Sequence, residues 1–243
     1  MVTVLAFGVL FLLIPVNRFF LKQPPDRMVR RLVRVYGLVL VRYVPFMAPV
    51  TMEDRSGWRK RPVIFVANHA SAVDPYLFGT VPEDTSFVTT WPFRIPFYRN
   101  VMEAAGYVQA ERGWDHVLER GKELLEKGCS LIIWPEGHRS RDGRLGRFTN
   151  GAFILSFMTG IPVLPVCITG SDRLMPPGSR FFTPARVGVT LLPPVFPAGK
   201  GYDPAGIVDM RERTRRVIAD EMVARGVDPE RVRPVGRRET ANA

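Results

Sequence analysis

The sequence predicts a single α/β domain whose mostly parallel or mixed central sheet is flanked by helices, preceded by two N-terminal membrane-associating helices. Three observations predict it. From residue 61 onward, short runs of Val, Ile, Leu and Phe alternate with stretches of helical spacing. At 243 residues and 46% hydrophobic composition, the chain is long enough for one large core plus a short appendage. An unbroken apolar run at residues 2–16 stands just before a strongly basic block. On this reading residues 1–50 form the membrane-associating segment and residues 51–243 the α/β domain.

The first element is the run VTVLAFGVLFLLIPV, followed by Asn17, Arg18 and then Phe19, Phe20 and Leu21. It is short for a spanning helix, which needs ~20 apolar residues. With Arg18 reaching toward a headgroup, residues 2–21 either span the bilayer or lie in it. No basic stretch precedes the run and no small-residue cleavage site follows it, so a cleaved signal peptide fits poorly. The basic residues all come after it, which directs the following domain to the cytoplasmic face of the cell membrane.

The second element covers residues 26–47 and is amphipathic. Arg27, Arg30, Arg31 and Arg34 fall at i, i+3, i+4 and i+7, one helical face, and Met28, Val29, Leu32, Val33 and Tyr36 help fill the remaining arc. Such a helix suits a bilayer interface with its arginines on lipid phosphate. The alternative is a helix packed on the domain with a solvated arginine face. Net charge is +11, and residues 18–61 hold Arg18, Lys22 and nine further basic residues against only Asp26, Glu53 and Asp54. Basic sequence beside apolar sequence points to an anionic membrane surface as partner before it points to nucleic acid.

Strands are expected at 62–67, 85–89, 106–109, 130–134, 161–169 and 186–192. Helices are expected at 114–127, 151–158 and 204–224. Several of the strands are continuous apolar runs, the pattern of strands covered on both faces. Cys129 and Cys167 each sit in such a run and read as reduced core thiols. His69, His116 and His138 lie far apart with no metal-ligand spacing, so no metal is expected. In sheets of this kind sites form just past strand ends.

Two loops there carry chemistry. The first reads Asn68-His69-Ala70-Ser71-Ala72-Val73-Asp74. Histidine is the usual general base near neutral pH, and a carboxylate on its second nitrogen fixes the tautomer. Five residues along one helix separate side chains by ~140°. His69 and Asp74 can therefore pair only if the histidine lies in a loop and the helix starts after it. Ser71 and Asp74 match a capping pattern and Pro75 suits a first helical turn, which permits that arrangement, although capping alone also explains them. The second loop reads Trp134-Pro135-Glu136-Gly137-His138-Arg139-Ser140-Arg141. Its arginines either clamp a phosphate or simply face water.

Taken together, these motifs resemble the glycerolipid (lysophospholipid) acyltransferase family, of the 1-acylglycerol-3-phosphate acyltransferase type. Ile95-Pro96-Phe97 with Gly106 and Arg112 is similar to its second block, and Ile161-Pro162-Val163-Leu164-Pro165-Val166 to its fourth. The resemblance covers residues 60–170. It implies a membrane enzyme of phospholipid biosynthesis that moves an acyl group from acyl-CoA or acyl-carrier protein to lysophosphatidate, with no bound cofactor and no acyl-enzyme. His69 would be the base and Asp74 its orienting partner. Arg112, Glu136, Gly137 and Arg139 would bind the acceptor and its phosphate, and Asn68 and Ser71 would support the loop. His138 replaces the family's usual threonine, Thr149 stands where lysine is common, and Thr89 to Trp91 lacks a lysine. Those departures admit another acceptor: glycerol 3-phosphate, another lysophospholipid or a lyso-aminolipid. A non-catalytic basic protein that binds membranes or nucleic acid is supported by charge alone.

Overall fold

A computed structural model describes residues 24–43, 49–175, 179 and 181–230. The apolar run expected to meet the membrane lies outside the described residues. Within them, seven strands form one sheet: β1 (Val50–Asp54), β2 (Ile64–Ala67), β3 (Thr85–Thr89), β4 (Val108–Gln109), β5 (Ser130–Ile133), β6 (Val163–Thr169) and β7 (Val187–Leu191). Their order is β1-β7-β6-β2-β5-β3-β4. The five strands from β6 to β4 run parallel. β7 pairs antiparallel with β6, and β1 lies parallel to β7, so the sheet is mixed. The helices are α1 (Pro25–Tyr43), α2 (Asp74–Leu77), α3 (Pro96–Ala104), α4 (Trp114–Glu126), α5 (Gly151–Thr159), α6 (Ser171–Leu174) and α7 (Pro204–Ala224).

Side chains alternate across each strand, and here both faces are buried. Phe65, Ile132, Leu164 and Val166 point into one apolar layer with Val29 and Val41 of α1, Leu77 of α2 and Val101 of α3. Ile64, Leu131, Ile133 and Val163 point into the other, with Leu124 of α4, Phe153 of α5 and Met210 and Ile218 of α7. That double burial is why the strands read as continuous apolar runs.

The strands and helices expected downstream of residue 61 are all present, with ends shifted by a few residues. β1 was not expected, because its sequence Val-Thr-Met-Glu-Asp is half polar. It holds the sheet edge, where Glu53 reaches Arg225 just past α7 at 2.7 Å. Arg225 and Arg55 hold the Glu53 carboxyl well below the usual range, at about 2.

Helix α1 corrects the cationic stripe. Its residues Met28, Val29 and Val41 belong to the core, and Arg30 is only 5% exposed. The Arg30 guanidinium donates from Nε and Nη2 to the two Asp84 oxygens at 2.6 and 2.9 Å. Its Nη1 donates to Asp26 Oδ2 at 2.9 Å and to the Ala105 carbonyl at 3.0 Å. Arg34 donates to the Val81 carbonyl. Only Arg27 and Arg31 of the stripe are exposed. The fork geometry of arginine fits a carboxylate, so periodicity alone could not separate a lipid-facing arginine from a buried one. Gly37 and Gly79 let α1 touch the turn after α2 backbone to backbone; a Cβ on Gly79 would lie 2.3 Å from the Leu38 nitrogen. No helix among the described residues is long and apolar enough to cross a membrane.

Removing one member of a buried ion pair costs about 3 kcal/mol or more. Arg30→Met is therefore expected to lower the melting temperature by roughly 6–12 °C, while Arg31→Met, on the exposed face, leaves it nearly unchanged. Thermal unfolding of the two variants checks this, and equal melting would exclude Arg30 as the anchor of α1.

Candidate active site

The loops leaving β2, β5 and β6 meet at one edge of the sheet because these strands are parallel neighbours. Asn68 closes the junction between two of them. Its Nδ2 donates to the Ile168 carbonyl at 2.8 Å, and its Oδ1 accepts from the Ile168 N–H at 2.7 Å. A buried side-chain amide bonded to both backbone groups of one residue continues the sheet past its last ladder bond. The first residue after that brace is His69.

Residues 68–73 are not helical, and α2 starts at Asp74. The loop thus removes the angular separation that a continuous helix would impose, and His69 Nδ1 lies 2.7 Å from Asp74 Oδ2. The same oxygen accepts the N–H groups of Ala70 and Ser71 at 2.9 and 2.8 Å. Asp74 is fully buried, and its Oδ1 has no partner within the described residues. With Nδ1–H donating to that carboxylate, Nε2 carries the lone pair. The imidazole is also gripped by its face: it stacks on Trp134 with centroids 4.8 Å apart. Trp134 in turn stacks on Phe87 at 5.6 Å. Ser71 does not cap α2 with its hydroxyl, which instead donates to the Met175 carbonyl at 2.8 Å.

Glu136 is placed differently from the expectation. It is buried, and its carboxylate receives the His69 N–H on Oε1 and the Gly146 N–H on Oε2, each at 2.8 Å. Burial pushes its pKa up while those two donors pull it down, and burial wins. Both oxygens are engaged by backbone N–H groups, so Glu136 holds two loops together at the cleft it lines. The turn it sits in needs Gly137, whose φ of 73° is left-handed. The His69 carbonyl accepts the Ser140 N–H at 2.7 Å, so the loop after β5 grips the histidine peptide from both sides.

Arg139 is exposed and makes no hydrogen bond or ion pair among the described residues. Arg112 is on the same sheet edge, past β4, where its Nε donates to Gln109; neither it nor Arg139 lines the cleft beside His69. β4 is two strands beyond β5, roughly 10 Å at the usual spacing. The cleft is walled by Ser140, Arg144 and Leu145 on one side and by Thr169, Gly170 and Asp172 on the other. Arg144 and Trp134 were not singled out from sequence. Their only signal was a basic loop and an aromatic residue before Pro-Glu-Gly.

Burial pushes the thiols of Cys129 and Cys167 up to about 12, so neither is a thiolate near neutral pH. Among the described residues no cluster of His, Cys, Asp and Glu could hold a metal ion. The chemistry the arrangement supports is proton abstraction by His69 Nε2 from a group entering the cleft.

Residues 49–169 match the family model described as Acyltransferase. The chain is similar to a chloroplastic 1-acyl-sn-glycerol-3-phosphate acyltransferase of Brassica napus, 38% identical over 124 residues, covering 49% of this chain and 36% of that one. It is also similar to a 1-acyl-sn-glycerol-3-phosphate acyltransferase of Limnanthes douglasii, 28% identical over 208 residues, covering 80% of this chain and 69% of that one. The match to the first relatives spans only about a third of their length. The crystal structure of the 1-acyl-sn-glycerophosphate acyltransferase of Thermotoga maritima shares the fold, with a TM-score of 0.67 and 24% identity over 92% of this chain and 98% of that one.

The raised pKa of Glu136 has a sign. A carboxyl whose native pKa exceeds its unfolded value, here 4.5, contributes stability that is full below pH 4.5. That contribution declines as pH rises through the native pKa. Glu136→Gln cannot titrate, so the stability of wild type minus that of the variant should fall as pH rises. Urea unfolding of both proteins at a series of pH values reads that difference. A flat difference would show that Glu136 is not a desolvated acid.

Proposed function

The chain belongs to the acyltransferase family, and from that premise we propose that it moves a fatty acyl group from a thioester donor onto the free hydroxyl of lysophosphatidate, giving phosphatidate. The observation that carries this reading is the His69–Asp74 bond of 2.7 Å in a loop past the strand ends. His69 Nε2 takes the proton of the acceptor hydroxyl as its oxygen attacks the thioester carbonyl. Asp74 fixes the tautomer whose lone pair is on Nε2 and steadies the imidazolium that forms. Collapse of the tetrahedral intermediate expels the thiolate, which takes the proton from Nε2. No protein nucleophile is needed. Acyl-CoA and acyl-carrier protein both fit as donors, and the names of the relatives support lysophosphatidate as acceptor.

Arg139 is assigned to the acceptor phosphate. Its position three residues beyond Glu136, unpartnered and exposed, supports that role. One observation favours a second reading with another lysolipid. Of the four expected residues only Arg112 and Arg139 are cations, and Arg112 is held by Gln109 past β4, so a doubly charged phosphate has one fewer cation than expected. A capped phosphate asks for less charge.

The domain is proposed to work on the cytoplasmic face of the cell membrane, with anionic lipid as its surface. Support comes from exposed Arg27 and Arg31, followed along the same face of α1 by exposed Val35, Val39 and Tyr43.

Lysophosphatidate and lysophosphatidylcholine, each assayed with acyl-CoA and acyl-carrier protein, separate the readings. Wild type is expected to prefer lysophosphatidate. Arg139→Ala should lose about one to two orders of magnitude in kcat/KM on it, the loss of a charge-assisted bond of ~1.5–3 kcal/mol. His69→Ala should lose about two to four orders of magnitude on any acceptor. Preference for the capped lipid, or an equal effect of Arg139→Ala on both, would move the assignment to the second reading. Turnover by His69→Ala at the wild-type rate would sink the mechanism.

A further inference from the structure

We propose that Arg215, on the outer face of the molecule in α7, is a positioning residue for His69 that acts through the Gly146 peptide and the Glu136 carboxylate. The inference rests on the acyltransferase reading above for its kinetic consequence, but the contacts stand without it.

Three hydrogen bonds run in series through the Leu145–Gly146 peptide, and a fourth, to the Gly146 carbonyl, stands beside them. Arg215 Nη2 donates to the Leu145 carbonyl at 2.8 Å, and its Nε donates to the Gly146 carbonyl at 3.1 Å. On its other side, Gly146 donates its N–H to Glu136 Oε2 at 2.8 Å. Glu136 Oε1 then accepts the His69 N–H, also at 2.8 Å. A cation thus sits at the carbonyl end of the loop and an anion at its N–H end, an arrangement in which each bond polarises the next. A Cβ added at position 146 would lie 2.7 Å from Glu136 Oε2, so the carboxylate would have to shift.

Elsewhere the loop is fixed by its buried Leu145 and Phe148 side chains and by Thr149, which bonds the Pro135 carbonyl, but none of these contacts holds the Gly146 N–H. Leu145 donates its N–H to the Pro229 carbonyl, and Arg144 folds back on Asp142. Without Arg215, two carbonyls in a half-buried loop lose their donors. The Gly146 N–H is then free to leave Glu136, and a buried carboxylate short of a donor shifts toward water or takes up a proton. In either case the His69 peptide loses the bond that sets where the imidazole stands relative to Asp74. The step impaired is proton transfer, not substrate binding, so the signature is in kcat.

The test uses the full chain and four variants, Arg215→Met, Arg215→Lys, Gly146→Ala and Glu136→Gln, with Arg216→Met, a solvent-facing neighbour, as control. Arg215→Met should lower kcat about tenfold with both KM values within twofold of wild type, Arg215→Lys should recover part of the loss, and Arg216→Met should match wild type. The double variant Arg215→Met/Glu136→Gln should be no slower than Glu136→Gln alone, because both changes break one chain. Amide hydrogen exchange at His69 and Gly146 gives a readout free of any assumption about the reaction. Both amides should exchange faster in Arg215→Met. Additive losses in the double variant, a rise in acceptor KM with kcat intact, or unchanged exchange at both amides would each overturn the proposal. If Arg215→Met does not fold, Arg215→Lys and Gly146→Ala carry the same comparison. Absence of acyl transfer by wild type with faster exchange in the variant would fault the acyltransferase reading and leave the positioning intact.

Discussion

A carboxylate buried among loops needs donors, and Glu136 finds both of its own in the backbone. That constraint organises the site. One oxygen takes the N–H of His69 in the loop after β2, the other takes the N–H of Gly146 further along its own loop. Two chain segments 67 residues apart thereby share one charge. Neither loop can move without leaving a buried charge short of a bond, and that penalty is of the order of 1–3 kcal/mol, more for charged groups. Loop segments at the rim of a sheet are ordinarily its most mobile parts. Here two of them are coupled to each other before any substrate arrives.

The sheet makes that coupling possible. Parallel neighbours deliver their following loops to the same edge, and β2 lies between β5 and β6. Asn68 ties the β2 loop to β6, Glu136 ties it to β5, and the Ser140 N–H on the His69 carbonyl adds a second bond to the β5 side. Flanked in this way, His69 is left with one adjustable group, its ring. Asp74 takes Nδ1 and Trp134 takes one face, so the ring has a single nitrogen to offer. The orienting carboxylate comes from the first residue of α2, and the short distance follows from ending the loop there. Histidine and aspartate five residues apart meet because five residues of loop, unlike five residues of helix, can fold back.

How much of this could be read in the sequence depends on whether the signal was local. Strands β2 to β7 announce themselves as apolar runs because helices cover both faces, and α4, α5 and α7 follow from periodicity. The pairing of His69 with Asp74 was legible too, since Pro75 and the capping pattern place a helix start beyond the histidine. Other features depend on partners distant in sequence and were misread or missed. For Glu136, nothing nearby in the chain reveals that two backbone N–H groups will converge on its carboxylate. Arg30 looked like its neighbours Arg27 and Arg31, and only Asp84, 54 residues away, distinguishes it. β1 is an edge strand of half-polar residues, with a pattern shared by many loops. Trp134 was visible merely as an aromatic residue before Pro-Glu-Gly, whereas its stacking on His69 needed the register of β5 against β2.

The arginines show why net charge says so little about where an anion binds. The chain carries an excess of 11 positive charges, and from sequence they form one undifferentiated surplus. The fold divides them. Arg30, Arg215 and Arg225 are partly or wholly sequestered, and each is matched to carboxylates or backbone carbonyls by the guanidinium fork. These behave as rivets, and replacing them with lysine would keep the charge while losing the geometry. Among the described residues Arg139 has no such partner. A cation held by protein acceptors has already exchanged its water for fixed dipoles and has few donors left for a ligand. One without them keeps all five N–H groups free. The arginines free to meet an anion are those the fold leaves unpaired, and a count of basic residues cannot supply that distinction.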